Sequence, residues 1–182
     1  MKAPVRELLH LFDLEQLEDN LFRGQTQANG QRSVFGGLVA GQALLAASRT
    51  VPEERPVHSL HAYFLRPGDF NVPIVYDVER IRDGKSFTTR RVKAIQHGRP
   101  IFSLAASYQV VEEGASHQAA MPDVPDPETL DTDQAIRLKL VERLPEQYRK
   151  DFLTERPVEF RPVTPLDPIS PEPKAPVREV WF

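Results

Sequence analysis

The stretch VFGGLVAGQALLAASRTV, Val34 to Val51, decides how the rest of the chain is read. It is long enough for about four to five helical turns. Gly37, Gly41, Ala43, Ala46 and Ala47 make it slim, while Leu38, Val39, Leu44 and Leu45 surround it with apolar surface. Between Val34 and Ala47 the one polar side chain is Gln42. A surface helix shows a polar face, and this segment has none, so it is either a core helix or a membrane span. Spanning takes about 20 predominantly apolar residues, and this run is too short and too rich in glycine. It is therefore expected to be a central core helix, with Ser33 as its cap and Pro52 and Pro56 closing it off.

Downstream of that helix the apolar period changes to two. VHSLHAYFLRPG (57–68) puts Val57, Ser59, His61, Tyr63 and Leu65 on one face and His58, Leu60, Ala62 and Phe64 on the other. Both faces are largely apolar, so this strand is expected to be covered on two sides until Pro67-Gly68 ends it. A second strand is expected over 74–82, a turn at Asp83-Gly84, a third strand over 86–96, a turn at His97-Gly98 and a fourth over 100–111. Three long antiparallel strands in a meander, preceded by another strand and a slim helix, describe an α+β domain in which a sheet curls around a helix. A flat, open sheet would leave the glycine-rich helix no reason to be slim.

Toward the N-terminus, Val5, Leu8, Leu9 and Phe12 recur at spacings of three and four, which predicts a short amphipathic helix over 4–12. Leu14–Gln25 reads as an edge strand ending in FRGQ, and Asn29-Gly30 as a turn. The character changes after Glu113: between Met121 and Pro176 lie 11 of the chain's 17 prolines. There Asp131 with Gln134 resembles a capping box for one helix over about 132–143, and the rest reads as linker. Two apolar pieces follow, Pro157–Val163 and Val177–Phe182, and REVWF (178–182) reads as the middle of a strand.

Composition removes several function classes. A formal net charge of -3 with no long basic run speaks against a nucleic-acid partner. Zero cysteines exclude disulfide scaffolding, a thiolate nucleophile and cysteine-ligated zinc. Acidic residues in MKAPVRELLHLFDLEQLEDN stand where a signal peptide would have its apolar segment, so the expected location is cytoplasmic, with no membrane partner.

Few side chains are candidates for chemistry. His58 and His61 stand three apart on a strand, hence on opposite faces, and cannot jointly hold one ion, so no metal is expected. His58 retains a candidate ligand or catalytic role. Gly36, Gly37 and Gly41 fit neither GxGxxG nor GxxxxGK[ST]. They read either as points of close approach between helix and sheet or, over Phe35–Gly37, as a helix N-terminus whose N–H groups face a carbonyl oxygen gaining charge. The second arrangement suits thioester or ester hydrolysis, yet hydrolysis also needs a base. From Val34 to Ser48 there is no Asp, Glu or His, and Gln42 orients a water but cannot take its proton. Arg66, Arg90 and Arg91 are either solvated charges or partners for an anionic ligand.

Taken together, LFRGQ (21–25), RSVFGGLVAGQAL (32–44), PVHSLHAYFLRPGD (56–69), VYDVERIRDGKSFTTRRVKAIQHGRPIF (75–102), ERPVEFRPV (155–163) and REVWF (178–182) closely resemble the acyl-CoA thioesterase II family. The resemblance implies two hotdog domains in tandem, each a sheet curled around a long helix. It implies hydrolysis of fatty acyl-CoA to fatty acid and coenzyme A, with no cofactor beyond the coenzyme A of the substrate. It implies further that residues 1–113 form the first hotdog, 114–154 a proline-rich linker with one helix, and 155–182 the opening strands of a second hotdog, incomplete relative to the double form. The family's catalytic Asp, Thr or Ser, and Gln belong to that second domain. Phe35, Gly36, Gly37, Gln42 and His61 carry over as positions near the acyl-CoA substrate, and His58 as a weak catalytic candidate. The implied partner is a second hotdog, from a longer chain or from another copy; the alternative is a non-catalytic hotdog that binds acyl chains or pairs with other subunits.

Overall fold

In the computed structural model, which describes residues 2–27 and 32–182, helix α1 (Ala3–Leu11) leads into strands β1 (Glu15–Glu18) and β2 (Leu21–Gly24) and the central helix α2 (Gly36–Ser48). Strands β3 (Val57–Phe64), β4 (Ile74–Asp83), β5 (Phe87–Gln96) and β6 (Arg99–Gln109) follow. All six strands form one antiparallel sheet in the order β1-β2-β4-β5-β6-β3. Leu9–Ala115 is one compact unit; Ser116–Phe182, with the first residues of the chain, is another.

Period-two patterning works as the sequence predicts on the meander. One face of β4, β5 and β6 buries Ile74, Tyr76 and Val78, then Val92 and Ala94, then Phe102, Leu104, Ala106 and Tyr108. The register lines up Val78, Val92 and Leu104 in one row and Tyr76, Ala94 and Phe102 in the next. Helix α2 lies on these rows with Leu38, Val39, Ala43, Ala46 and Ala47 buried. Alanines at the contact let helix and sheet approach closely, which is why the helix is slim. Between β5 and β6, His97 and Gly98 both have positive φ, 48° and 69°. That is the two-residue turn whose twist matches the flanking strands.

The polar side chain in the middle of α2 is buried in this core. Gln42 is fully buried; its Nε2 donates to the carbonyls of Leu11 (2.5 Å) and Gln25 (2.9 Å), and its Oε1 accepts from the Tyr76 hydroxyl at 2.7 Å. Burial pushes the Tyr76 phenol far above its ordinary range, so it remains a donor. Among the described residues no buried side-chain N or O atom lacks a partner.

The structure departs from the sequence expectations at several points. Helix α2 is shorter than 34–51, and its N-cap is Phe35 with no side-chain cap, so Ser33 does not cap it. Leu14–Gln25 is a hairpin of two short strands; β1 is the edge, and β2 is an inner strand paired with β4. Strand β3 is not covered on two sides. Among the described residues it is the other edge of the sheet, paired with β6 alone, and is exposed along nearly its whole length because α2 lies chiefly over β4–β6. Arg90 is neither solvated nor open to a ligand: it is 1% exposed and is bound to Thr50, to the carbonyls of Arg82 and Thr89, and to Asp83. The Asn29-Gly30 turn lies outside the described residues.

In the second unit, α3 (Asp133–Leu140) is capped by Thr132, whose hydroxyl accepts from Ala135 N at 3.1 Å, rather than by Asp131. The segment that reads as linker contains a further helix, α4 (Glu146–Phe152). Arg137 ties the two, donating to Asp133 in α3 and to the carbonyls of Phe152 and Thr154. The two apolar pieces meet as a short antiparallel ribbon of β7 (Arg161–Pro162) and β8 (Val180–Trp181). Trp181 Nε1 donates to the Pro125 carbonyl at 3.1 Å, and Phe182 is 88% exposed.

Gly24 is the cheapest way to disturb the Gln42 contacts, because a Cβ there would stand 2.7 Å from Gln42 Cδ. Gly24→Ala is expected to push the amide off its partners and lower unfolding stability by about 1–3 kcal/mol, the cost of unsatisfied buried polar groups. A urea midpoint equal to wild type would show that Gln42 is not held this way.

Candidate functional site

The N-terminal end of α2 opens on a groove of about 400 Å³. Val34, Gly36 and Val39 form one wall, Phe64, Leu65 and Phe102 the other, and Arg66 stands among the lining residues. The loop after β3 closes one end. Leu65 N and Arg66 N donate to the Ile101 carbonyl (2.8 and 3.1 Å), and Val34 N donates to the Gly68 carbonyl at 3.0 Å. Farther along, Gln96 receives Asp69 N on its Oε1 (2.8 Å) and donates Nε2 to the carbonyls of Asp69 (2.7 Å) and Val72 (2.6 Å). Asp69 in turn accepts from Asn71 N at 2.9 Å and pairs with His97 at 3.1 Å. The buried end of β5 thus fixes the loop that shapes the groove.

Of the candidate site residues singled out in the sequence, Gly36 and Arg66 line this groove. Phe35 is exposed beside it, its ring resting against Gly37. The first intrahelical bond runs from Leu38 N to the Phe35 carbonyl (3.1 Å), so the amides of Gly36 and Gly37 precede the helical ladder. Gln42 does not reach the groove. Its amide is used up inside the core, which makes it a framework residue rather than a substrate contact.

His58 and His61 share one face of the sheet, contrary to the opposite faces that regular alternation predicts. A bulge between Val57 and Ser59 supplies the extra residue that turns His58 outward. Its Nε2 lies 2.9 Å from Ser107 Oγ, and its ring meets Phe87 edge-on at 5.8 Å. His61 packs on Tyr63 at 4.7 Å on that same outer face. Neither faces the groove, and among the described residues no three potential ligands are grouped to hold a metal ion. Arg66, a candidate anion partner from the sequence, is joined in the groove by Phe64, which the sequence marks only as a strand residue. The apolar pair Phe64-Leu65 immediately before RPG, at the end of a strand, is the signal that marks Phe64.

The family model for the acyl-CoA thioesterase N-terminal domain matches residues 25–109. Those residues are thus similar to the N-terminal domain of that family. Over 161 residues the chain is 47% identical to acyl-CoA thioesterase 2 of Haemophilus influenzae, a match that takes in 88% of this chain and 56% of that protein. It is 44% identical over 162 residues to acyl-coenzyme A thioesterase 8 of Homo sapiens, covering 85% of this chain and 51% of the other. The chain therefore spans about half the length of the curated relatives it matches. Among solved structures, an acyl-CoA thioesterase II from Mycobacterium marinum superimposes with a TM-score of 0.61 at 55% identity, over 66% of this chain and 45% of that one. A protein from Alicyclobacillus acidocaldarius described as having a hot dog fold gives 0.60 at 26% identity, over 69% and 48%. The sheet curled on α2 is a hotdog.

Within this hotdog the groove loop carries the clearest electrostatic signature. The backbone N–H of Asn71, and after it His97, hold the Asp69 carboxyl below its ordinary value of 3.8. A depressed folded value stabilises the fold fully above the unfolded value and is lost as pH falls through the folded one. Asp69→Asn removes that titration. The difference in melting temperature between wild type and Asp69→Asn is expected to shrink as the pH is lowered below 3.8. A difference constant across that window would show that the carboxylate does not anchor the loop.

Proposed function

We propose that this chain supplies the first hotdog of an acyl-CoA thioesterase, which hydrolyses fatty acyl-CoA to fatty acid and coenzyme A by activated water. The observation that carries this reading is the match of residues 25–109 to the acyl-CoA thioesterase N-terminal domain. In this reading the reaction draws on no metal and no cofactor beyond the coenzyme A of its substrate. The chain's own share is binding. The groove lining has no Asp, Glu or His among the described residues, and these are the side chains that most often serve as the base. The proton acceptor would come from a second hotdog carrying an Asp, a Thr or Ser, and a Gln, for which residues 155–182 and their β7–β8 ribbon are the opening strands. The missing base equally favours a second reading, a non-catalytic hotdog that binds acyl chains.

The second hotdog has a place to attach. Among the described residues strand β3 presents an unpaired edge, and Val57, Leu60, Phe64 and Leu65 are exposed along and just beyond it. An edge of this kind is a template for another strand. Its partner is the second domain of a longer chain or, for these 182 residues alone, a second copy.

Release of free thiol from medium- and long-chain acyl-CoA by the purified chain separates the two halves of the proposal. The expected result is saturable binding with thiol release near the uncatalysed rate. Release well above that rate would overturn the assignment of the base to a second hotdog, and absence of binding would overturn the acyl-CoA reading. Sedimentation equilibrium tests the edge: the chain is expected to dimerise, and Leu60→Glu, which places a charge on β3, to shift it to monomer. A wild-type monomer at all concentrations would remove β3 as a pairing edge.

A further inference from the structure

Phe64 belongs by register to the helix-facing side of the sheet, opposite Phe102. On that side of β6, Phe102, Leu104 and Ala106 are all buried, whereas Phe64 is 65% exposed because β3 lies beyond the cover of α2. Its ring is seated all the same. It lies 4.9 Å from the Phe102 ring at 56°, and a Cβ on Gly36 would come within 2.8 Å of its Cε1. One aromatic ring therefore reaches from the end of β3 to the first residue of α2, across the groove of about 400 Å³. The other walls are chiefly apolar, with Val34, Val39 and Ile101 among them, and the guanidinium of Arg66 stands at the rim, donating Nη1 to the Pro100 carbonyl at 2.6 Å.

We propose that this groove takes the hydrocarbon chain of a coenzyme A thioester and that Phe64 sets the chain length it accepts. The inference rests on the acyl-CoA reading above and adds the residue that limits the substrate. Apolar walls suit an alkyl chain, and the positive charge of Arg66 complements a polyanionic carrier such as coenzyme A. Gly36 is part of the device, because any side chain there would displace the ring. Each further methylene buried in such a groove strengthens binding about fourfold, and that gain stops where the chain meets the ring.

The test is isothermal titration of the whole chain with non-hydrolysable thioether analogues of acyl-CoA, from butyl to hexadecyl. In wild type, affinity is expected to climb with chain length and then level off. Phe64→Ala should move the plateau to longer chains, with about a fifteenfold gain for chains just past the wild-type limit, what two more methylenes supply. Phe64→Trp should move it to shorter chains, and Phe64→Leu should fall between wild type and Ala. Val111→Ala, which trims an exposed apolar side chain outside the groove lining, should leave the plateau in place. If Phe64→Ala unfolds, as circular dichroism would reveal, the Leu and Trp variants decide the matter by the opposite directions of their shifts. A plateau at the same length in wild type and variants would overturn the role of Phe64. A wild type that binds none of the analogues would instead overturn the acyl-CoA reading beneath it.

Discussion

A helix enclosed by a sheet buries its own backbone groups in hydrogen bonds, but the segments that pass beside it carry carbonyls that need donors. In this hotdog one side chain meets that need. Gln42 gives both amide protons to the carbonyls of Leu11 and Gln25 and takes the hydroxyl proton of Tyr76. The end of α1, the exit from β2 and the start of β4 are thereby tied to the centre of α2. Such a network is worth having only when complete, since each unpaired group in a low-dielectric core costs about 1–3 kcal/mol. Gly24 belongs to it without bonding to anything, because any side chain there would occupy the place of the amide.

A second polar cluster holds the other end of the helix. The Thr50 hydroxyl donates to the Ala47 carbonyl at 2.7 Å, and Arg90 approaches Thr50 with Nε (2.8 Å on Oγ1) and Nη2 (2.9 Å on the carbonyl). A buried guanidinium is expensive to desolvate. Here it sits just past a helix C-terminus, where the dipole favours a cation, and it pairs with Asp83 at 2.6 Å. Helix α2 is thus clamped at its C-terminal end and pinned at its middle. Its N-terminal end carries no side-chain cap and opens on the groove.

The groove and the bare edge have one origin. With 13 residues, α2 lies chiefly over β4, β5 and β6 and leaves most of β3 without cover. The helix-side residues of β3 then face solvent or a partner, and where β3 ends against the helix N-terminus the uncovered space becomes a groove. The groove and the sheet edge are therefore neighbours along a single strand.

The amino-acid sequence by itself determined the α+β class, the central helix, the meander and its His97-Gly98 turn, since these follow from local periodicity and turn chemistry. It also marked Gln42 as the single polar residue in an apolar helix, and the long motifs around it pointed to the thioesterase family. It did not determine what Gln42 does, because its partners come from segments 17, 31 and 34 residues away. Nor did it reveal that β3 is an edge. Two apolar faces look the same whether a helix covers them or a partner does, and only the strand order separates the cases. The same limit hid the outward turn of His58, which depends on a bulge against β6, and the seat of Phe64, which depends on Gly36 and Phe102 arriving from other elements. Local pattern fixes which elements form; which side chains meet is decided by long-range packing, and in this protein the groove is made of such meetings.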